Sequence, residues 1–190
     1  MLSNFDQNMQ NRELCEFYLN PDDLSKFCVG YILEKDEFHC LIACLDPYGK
    51  RDGFCCFRIE DLIKVQTDTK YLICLKKLLV HNRDNGFFEQ KIQLQNAGAP
   101  LIDRVFHFIQ RENKVSSFEI LGGNVKDFYG TISDISDRGL IIQAISDYGC
   151  TDGCVFIDRE TISTVAFDSC DEWKIEILYR WGLADEASIK

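Results

Sequence analysis

The hexamer Tyr48-Gly49-Lys50-Arg51-Asp52-Gly53 returns one hundred residues later as Tyr148-Gly149-Cys150-Thr151-Asp152-Gly153. From this anchor the register holds in both directions, pairing Gly30 with Gly130, Ile32 with Ile132, Ile42 with Ile142, Glu60 with Glu160, Val65 with Val165 and Asp68 with Asp168. The chain is therefore an internal duplication, and an internal repeat constrains architecture before any other signal. Two copies are too few for a solenoid or propeller. They predict two similar small domains of about 80 to 95 residues each, each near the marginal end of size for burying a core.

Composition narrows the class. A hydrophobic content of 46% with 12% aromatic residues suits packed cores rather than disorder. The net charge is −10, with 12 basic and 15 acidic residues in 1–95 and 9 and 16 in 96–190. The acidity thus concentrates in the second copy, and the chain has no strong basic footprint for nucleic acid. The first residues lack the cationic start and apolar core of a signal peptide, and no apolar run reaches membrane-spanning length. A cytoplasmic protein without a membrane partner is the expectation. The ten cysteines are then expected to stay reduced. Cys28, Cys40, Cys44, Cys55, Cys56 and Cys74 lie in apolar segments, where a thiol serves as a small buried hydrophobe.

Taken in order, residues 1–12 are a polar, loose leader or one short helical turn. Strands are predicted over Leu14–Leu19, Phe27–Leu33, Phe38–Leu45, Phe54–Ile59 and Leu62–Val65. Asn20-Pro21-Asp22-Asp23, Asp46-Pro47-Tyr48-Gly49 and Glu60-Asp61 supply the turns. Asp68 or Thr69 caps a helix over Tyr71, Leu72, Leu75, Leu78 and Leu79. His81 to Gly86 is a boundary, and Phe87–Leu94 reads as a connecting strand or linker. Pro100 opens a helix with an apolar stripe of Leu101, Ile102, Val105, Phe106, Phe108 and Ile109, ending at Glu112-Asn113. In the second copy Val115–Ile120 matches the first strand after a one-residue adjustment in the Leu121-Gly122-Gly123-Asn124 turn. Phe128–Ile132, Gly139–Ile145, Cys154–Ile157 and Ile162–Phe167 follow. Ser169-Cys170-Asp171-Glu172 is a capping box for a last helix over Trp173, Ile175, Ile177, Leu178 and Trp181, with a polar, frayed tail from Ala184. The domain division is 1–82, a connector 83–98, and 99–190.

A helix followed by five short strands, with Gly130 early in strand two and a sharp turn near the end of Phe156-Ile157-Asp158-Arg159-Glu160-Thr161-Ile162, resembles the Sm-like fold. The repeat extends the resemblance to residues 14–66, and the whole is most similar to uncharacterised bacterial proteins with two tandem Sm-like barrels. The resemblance implies a mainly β chain with a few helices, built as two tandem five-stranded Sm-like or SH3-like barrels, each followed by a helix. RNA-binding Sm proteins hold bases with an Asp and Asn after strand two and an Arg-Gly turn before strand five. Here those places carry Asp134-Ile135-Ser136-Asp137-Arg138-Gly139 and Glu34-Lys35-Asp36-Glu37-Phe38, then Asp158-Arg159-Glu160 and Arg58-Ile59-Glu60. The resemblance therefore supports the fold more than RNA binding, and other five-stranded barrels share its signals.

The candidate binding residues are Tyr48, Gly49, Asp52, Gly53, Tyr148, Gly149, Asp152 and Gly153. Two glycines let a ligand approach the backbone, and each tyrosine presents a flat amphipathic ring. The same hexamer also reads as a turn joining strands three and four, with Gly supplying positive φ and Asp bonding the amides that follow it, and turn geometry is the stronger reading. No metal is expected. His39, Cys40, Cys44, Cys55, Cys56, Cys150 and Cys154 lack close zinc-ligand spacing, and Cys40 and Cys44 lie about 13 Å apart along a strand. No cofactor and no catalytic residue is expected either. His39, His81 and His107 each lack a counterpart in the other copy, and Asp22/Asp23, Glu60/Asp61 and Asp171/Glu172 read as solvated or capping acids. Lys70, Lys76, Lys77 and Arg83 form a local basic cluster read as a solvated helix end, with phosphate contact as the weaker alternative, and Trp173 and Trp181 read as core, whereas an exposed Trp would favour a partner surface. The functional expectation is a non-enzymatic binding or assembly module whose partner is another protein or a second copy, with RNA binding by the first, less acidic copy as the alternative.

Overall fold

The computed structural model describes residues 8, 10–82, 92–120 and 128–188, with backbone alone for 183–188. Arg83, most of the 83–98 connector and the Leu121-Gly122-Gly123-Asn124 turn lie outside the described residues, as does most of the polar leader. The chain is mainly β, with ten antiparallel strands and, among the described residues, three helices. It divides into two compact units, 1–93 and 94–190.

In the first unit the strands are β1 (Leu14–Tyr18), β2 (Cys28–Lys35), β3 (His39–Leu45), β4 (Arg51–Arg58) and β5 (Lys64–Gln66), followed by helix α1 (Lys70–His81). Their order is β5-β1-β2-β3-β4. Two layers of side chains hold the unit. On one face Leu14, Val29, Tyr31, Ala43 and Leu45 pack under Leu72 and Leu75 of α1, with Leu79 and Phe54 at the margin. On the other, Phe17 and Phe57 meet with ring centroids 5.6 Å apart, and Cys15, Cys40, Ile42 and Cys55 are buried. Leu72, Leu75 and Leu79 recur at helical spacing, so a single stripe of α1 covers the sheet.

The second unit begins with α2 (Leu101–Arg111), and in the first unit residues 8, 10 and 11, one hundred positions before 108, 110 and 111, are helical too. Pro100 is its N-cap, and Leu101, Val105, Phe106 and Ile109 are its buried stripe. Then come β6 (Ser116–Ile120), β7 (Phe128–Ile135), β8 (Gly139–Ile145), β9 (Thr151–Asp158), β10 (Ile162–Phe167) and α3 (Cys170–Ser188), with sheet order β10-β6-β7-β8-β9. The duplication extends to irregularities. β2 and β7 shift register against their neighbours at Ile32/Glu34 and Ile132/Asp134, and a second shift falls at Ala43/Leu45 and at Gln143/Ile145.

Five expectations are corrected. The sheet is not closed, so the two barrels are not present as closed ladders. A 3₁₀ turn, Ile59–Asp61 or Arg159–Thr161, carries the chain from β4 or β9 to the next strand. That strand ladders with β1 or β6 rather than back onto the strand it left. Second, β4 and β9 start at Arg51 and Thr151, three residues before the predicted starts, because Gly53 and Gly153 do not end the strand but bend it. Third, Cys74 is exposed, and Cys28 and Cys44 are only partly buried, since a thiol in an apolar segment follows the face it happens to occupy. Trp173 and Trp181 are also exposed, because the sheet-facing stripe of α3 runs through Glu172 and Ile175 instead. Finally, α3 continues as helix to Ser188, past the point where a frayed tail was expected.

Candidate functional site

The repeated hexamer is two devices in succession. The first is a tight turn built on the residue that precedes it. Asp46 Oδ1 accepts from Tyr48 N at 2.9 Å and from Lys50 N at 2.8 Å, while Gly49 N donates to Asp46 O at 3.1 Å. In the second copy Ser146 takes over, its Oγ accepting from Cys150 N at 3.3 Å and its carbonyl from Gly149 N at 2.9 Å. A short side chain that accepts from following amides is what this turn needs, and Asp and Ser both supply it. The second device is a bulge. Ala43 faces Phe54 and Leu45 faces Arg51, so Asp52 and Gly53 together oppose Cys44, with Gly53 at φ 70°. Asp152 and Gly153 do the same opposite Ala144, with Gly153 at φ 78°.

Gly49 and Gly149 are seated on helices. A Cβ on Gly149, which has φ 76°, would stand 2.5 Å from the Leu178 carbonyl carbon and 2.6 Å from Tyr179 N. A Cβ on Gly49 would meet Leu78 Cβ at 2.8 Å. Asn82 Nδ2 closes the first seat by donating to Tyr48 O at 2.9 Å and Gly49 O at 3.0 Å. Of the eight candidate residues, Gly49, Gly149 and Gly53 are buried and Asp52 is half-buried, while Asp152 and Gly153 are exposed. Tyr48 and Tyr148 project outward at 72% and 85% exposure. The structure brings each hexamer together as a turn followed by a bulge.

Behind each turn lies a buried polar tether that the sequence did not announce. Glu16 on β1 faces Val29, and Ser117 on β6 faces Tyr129, so the two occupy equivalent positions. In the first unit the carboxylate is on the strand. Glu16 accepts from the Thr69 hydroxyl, which itself caps α1 by accepting from Leu72 N at 3.1 Å, and from the Tyr18 hydroxyl at 2.7 Å. In the second unit the carboxylate has moved to the helix. Glu172 accepts from Ser117 Oγ at 2.6 Å and from Ser169 N at 3.0 Å, forming a capping box that is fully buried rather than solvated. Each unit thus carries one buried acid joining its first strand to the start of its last helix.

The titratable groups describe structure rather than chemistry. Burial, with Glu16 second, pushes the Tyr18 phenol up to about 12. Burial pushes the Cys15 thiol up to about 12, and those of Cys40 and Cys56 well above the usual thiol range. A thiol so raised is a poor nucleophile and a poor metal ligand. Cys74, Cys150, Cys154 and Cys170 are exposed, and no three His, Cys, Asp or Glu side chains gather to hold a metal among the described residues. His39 lies 3.9 Å from Asp36, His81 ends α1 and His107 is exposed on α2. Lys70, Lys76 and Lys77 are exposed on α1, with Lys76 3.5 Å from Asp68.

One surface feature differs between the copies. In β9 every residue except Ile157 is exposed, and its only ladder partner among the described residues is β8. Ile141 and Phe156 form a directly opposed cross-strand pair at 39% and 57% exposure, and Val155 beside them is also exposed. The matching residues of the first unit, Leu41, Cys56 and Cys55, are buried. No helix among the described residues is long and apolar enough to cross a membrane. Searches for a matching family model, a similar curated protein and a similar solved structure found none.

Proposed function

We propose that this chain is a non-enzymatic binding and assembly module, a duplicated small β-fold of Sm-like or SH3-like type whose β9 edge accepts a strand from a partner. The observation that carries the reading is β9 itself. An eight-residue terminal strand with an unladdered backbone edge and exposed Phe156, Val155 and Ile141 is the feature that sheet proteins normally blunt or cover. Strand addition satisfies such an edge with main-chain hydrogen bonds, and the apolar pair then buries against the incoming side chains.

Charge favours one kind of partner. Pairing β9 with itself about Val155 would oppose Asp152 to Asp158, and like charges directly opposite destabilise a ladder. A strand bearing a cation avoids this, and β5, at one end of the first unit's strand order, carries Lys64. A second copy offering β5 makes a head-to-tail contact, which propagates into rings or open chains rather than stopping at a dimer. The test is mass by light scattering across a concentration series, with Phe156→Lys and Val155→Pro as variants. Wild type is expected to populate species beyond dimer, and both variants to remain monomeric with unchanged circular dichroism. A wild-type chain that is monomeric at all concentrations and captures no strand peptide overturns the reading.

A further inference from the structure

A concavity lies within the second unit, between α2 and the segment that precedes it, away from the β9 edge in sequence. It encloses about 470 Å³, within the range of small-molecule sites. Its wall is a helical stripe of Arg104, His107, Phe108 and Arg111, at spacings that place all four on one face of α2. Gln95 and Asn96 form the opposite wall. In a chain of net charge −10, no Asp or Glu is among the described lining residues. The nearby carboxylates are engaged, Asp103 with Arg159 and Glu112 with Arg111 Nε at 2.8 Å.

The groove is preorganised at both ends. Arg104 Nε donates to Gln95 O at 3.1 Å, which ties the segment to the helix. Asn96, at φ 59°, turns the chain so that Ala99 N donates to Asn96 O at 2.9 Å. At the other end the Arg111 guanidinium lies 5.4 Å from the centroid of the Phe108 ring, and Phe108 is braced in turn by Phe167 at 5.7 Å. A guanidinium beside an aromatic ring is a planar group on which another ring can stack. Arg104 and Arg111 are separated by about 10 Å along the helix axis, with His107 between them.

We propose that this groove binds a small phosphate monoester of mononucleotide size. The phosphate is held at the Arg104–His107 end, and a planar polar ring lies at the Arg111–Phe108 end, within reach of the Gln95 and Asn96 side chains. The cations favour the anion over a neutral ligand, and the guanidinium fork suits phosphate oxygens. The ledge of Arg111 over Phe108 explains why the groove extends beyond what a phosphate alone fills.

The test is an amide-resolved nuclear magnetic resonance titration of the full chain with adenosine 5′-monophosphate, ribose 5-phosphate and adenosine. The nucleotide is expected to shift amides of both 95–99 and 104–112, and ribose 5-phosphate only those near Arg104 and His107. Adenosine is expected to bind about tenfold more weakly than the nucleotide, the cost of one lost charge-assisted contact. Because Arg104 holds the segment in place, the informative variants are His107→Glu, at an exposed helix position, and Arg111→Ala. The first should weaken both phosphates about tenfold, and the second the nucleotide alone. Shifts elsewhere in the spectrum report whether either variant disturbs the fold. The proposal is overturned by adenosine binding as well as its monophosphate, by millimolar nucleotide leaving 95–112 unshifted, or by His107→Glu binding unchanged in a folded chain.

Discussion

At the scale of single residues, the buried acids set the strongest local constraints. Glu172 has no water to turn to, and its two oxygens are held by Ser117 and by the amide of Ser169. Removing the acid strands a hydroxyl and an amide, so Glu172→Ala is expected to cost about 2 to 3 kcal/mol and Ser117→Ala about 1 to 2 kcal/mol. In the double variant the losses should fall short of additivity by about 1 kcal/mol or more, as for groups in direct contact. Both tryptophans lie on α3, so tryptophan fluorescence during urea unfolding reports on this unit. Additive losses would show that the two side chains do not share an interaction. Little of this was legible in the sequence. The capping box marked Glu172 as a helix start, but nothing in the periodicity said that the acid points inward. Its partner is 55 residues away and one register step off the hundred-residue offset.

At the scale of elements, the repeated hexamer shows what a sequence pattern can and cannot separate. The two glycines look equivalent, and both have positive φ near 70 to 80° in each copy. Their surroundings are different. A methyl on Gly149 would press into the backbone of α3, whereas one on Gly153 meets nothing within 4 Å. Gly149→Ala is therefore expected to cost about 3 kcal/mol or more, and Gly153→Ala about 1 to 2 kcal/mol, the backbone term alone. Equal losses by fluorescence-monitored unfolding would mean that the turn is not seated on its helix. The strands and helices themselves were legible, because alternation, caps and turn residues all act locally. The early starts of β4 and β9 were not, since a glycine in a bulge and a glycine in a turn carry the same letter. The β9 edge was hidden for another reason. Val155 and Phe156 read as ordinary strand residues, and only the strand order reveals that no described strand but β8 ladders with them.

At the scale of the whole molecule, buried protons tie stability to alkali. Tyr18 and Cys15 keep their protons in the fold up to about 12, against ordinary values of 10.0 and 9.0 in the unfolded chain. The stability contributed by these buried protons is fully present below about pH 9 and falls as pH rises from 9 toward 12, because over that window the unfolded state has released protons that the folded state still holds. The urea midpoint should drop through this window, and Tyr18→Phe should flatten the part above pH 10; a pH-independent midpoint would rule the linkage out. The paired tethers have a further consequence, for fidelity. A chain made of two look-alike halves invites each helix to dock on the wrong sheet, a characteristic failure of duplicated domains. Docking α3 on the first sheet would bring Glu172 against Glu16, two acids in one dry site, of which only one can stay ionised without a cost of several kcal/mol. Docking α1 on the second sheet would leave Ser117 facing Leu72, with no carboxylate to accept its hydroxyl proton. By holding the acid on opposite partners, the halves have become mutually incompatible, and each helix recognises the sheet from which it descends.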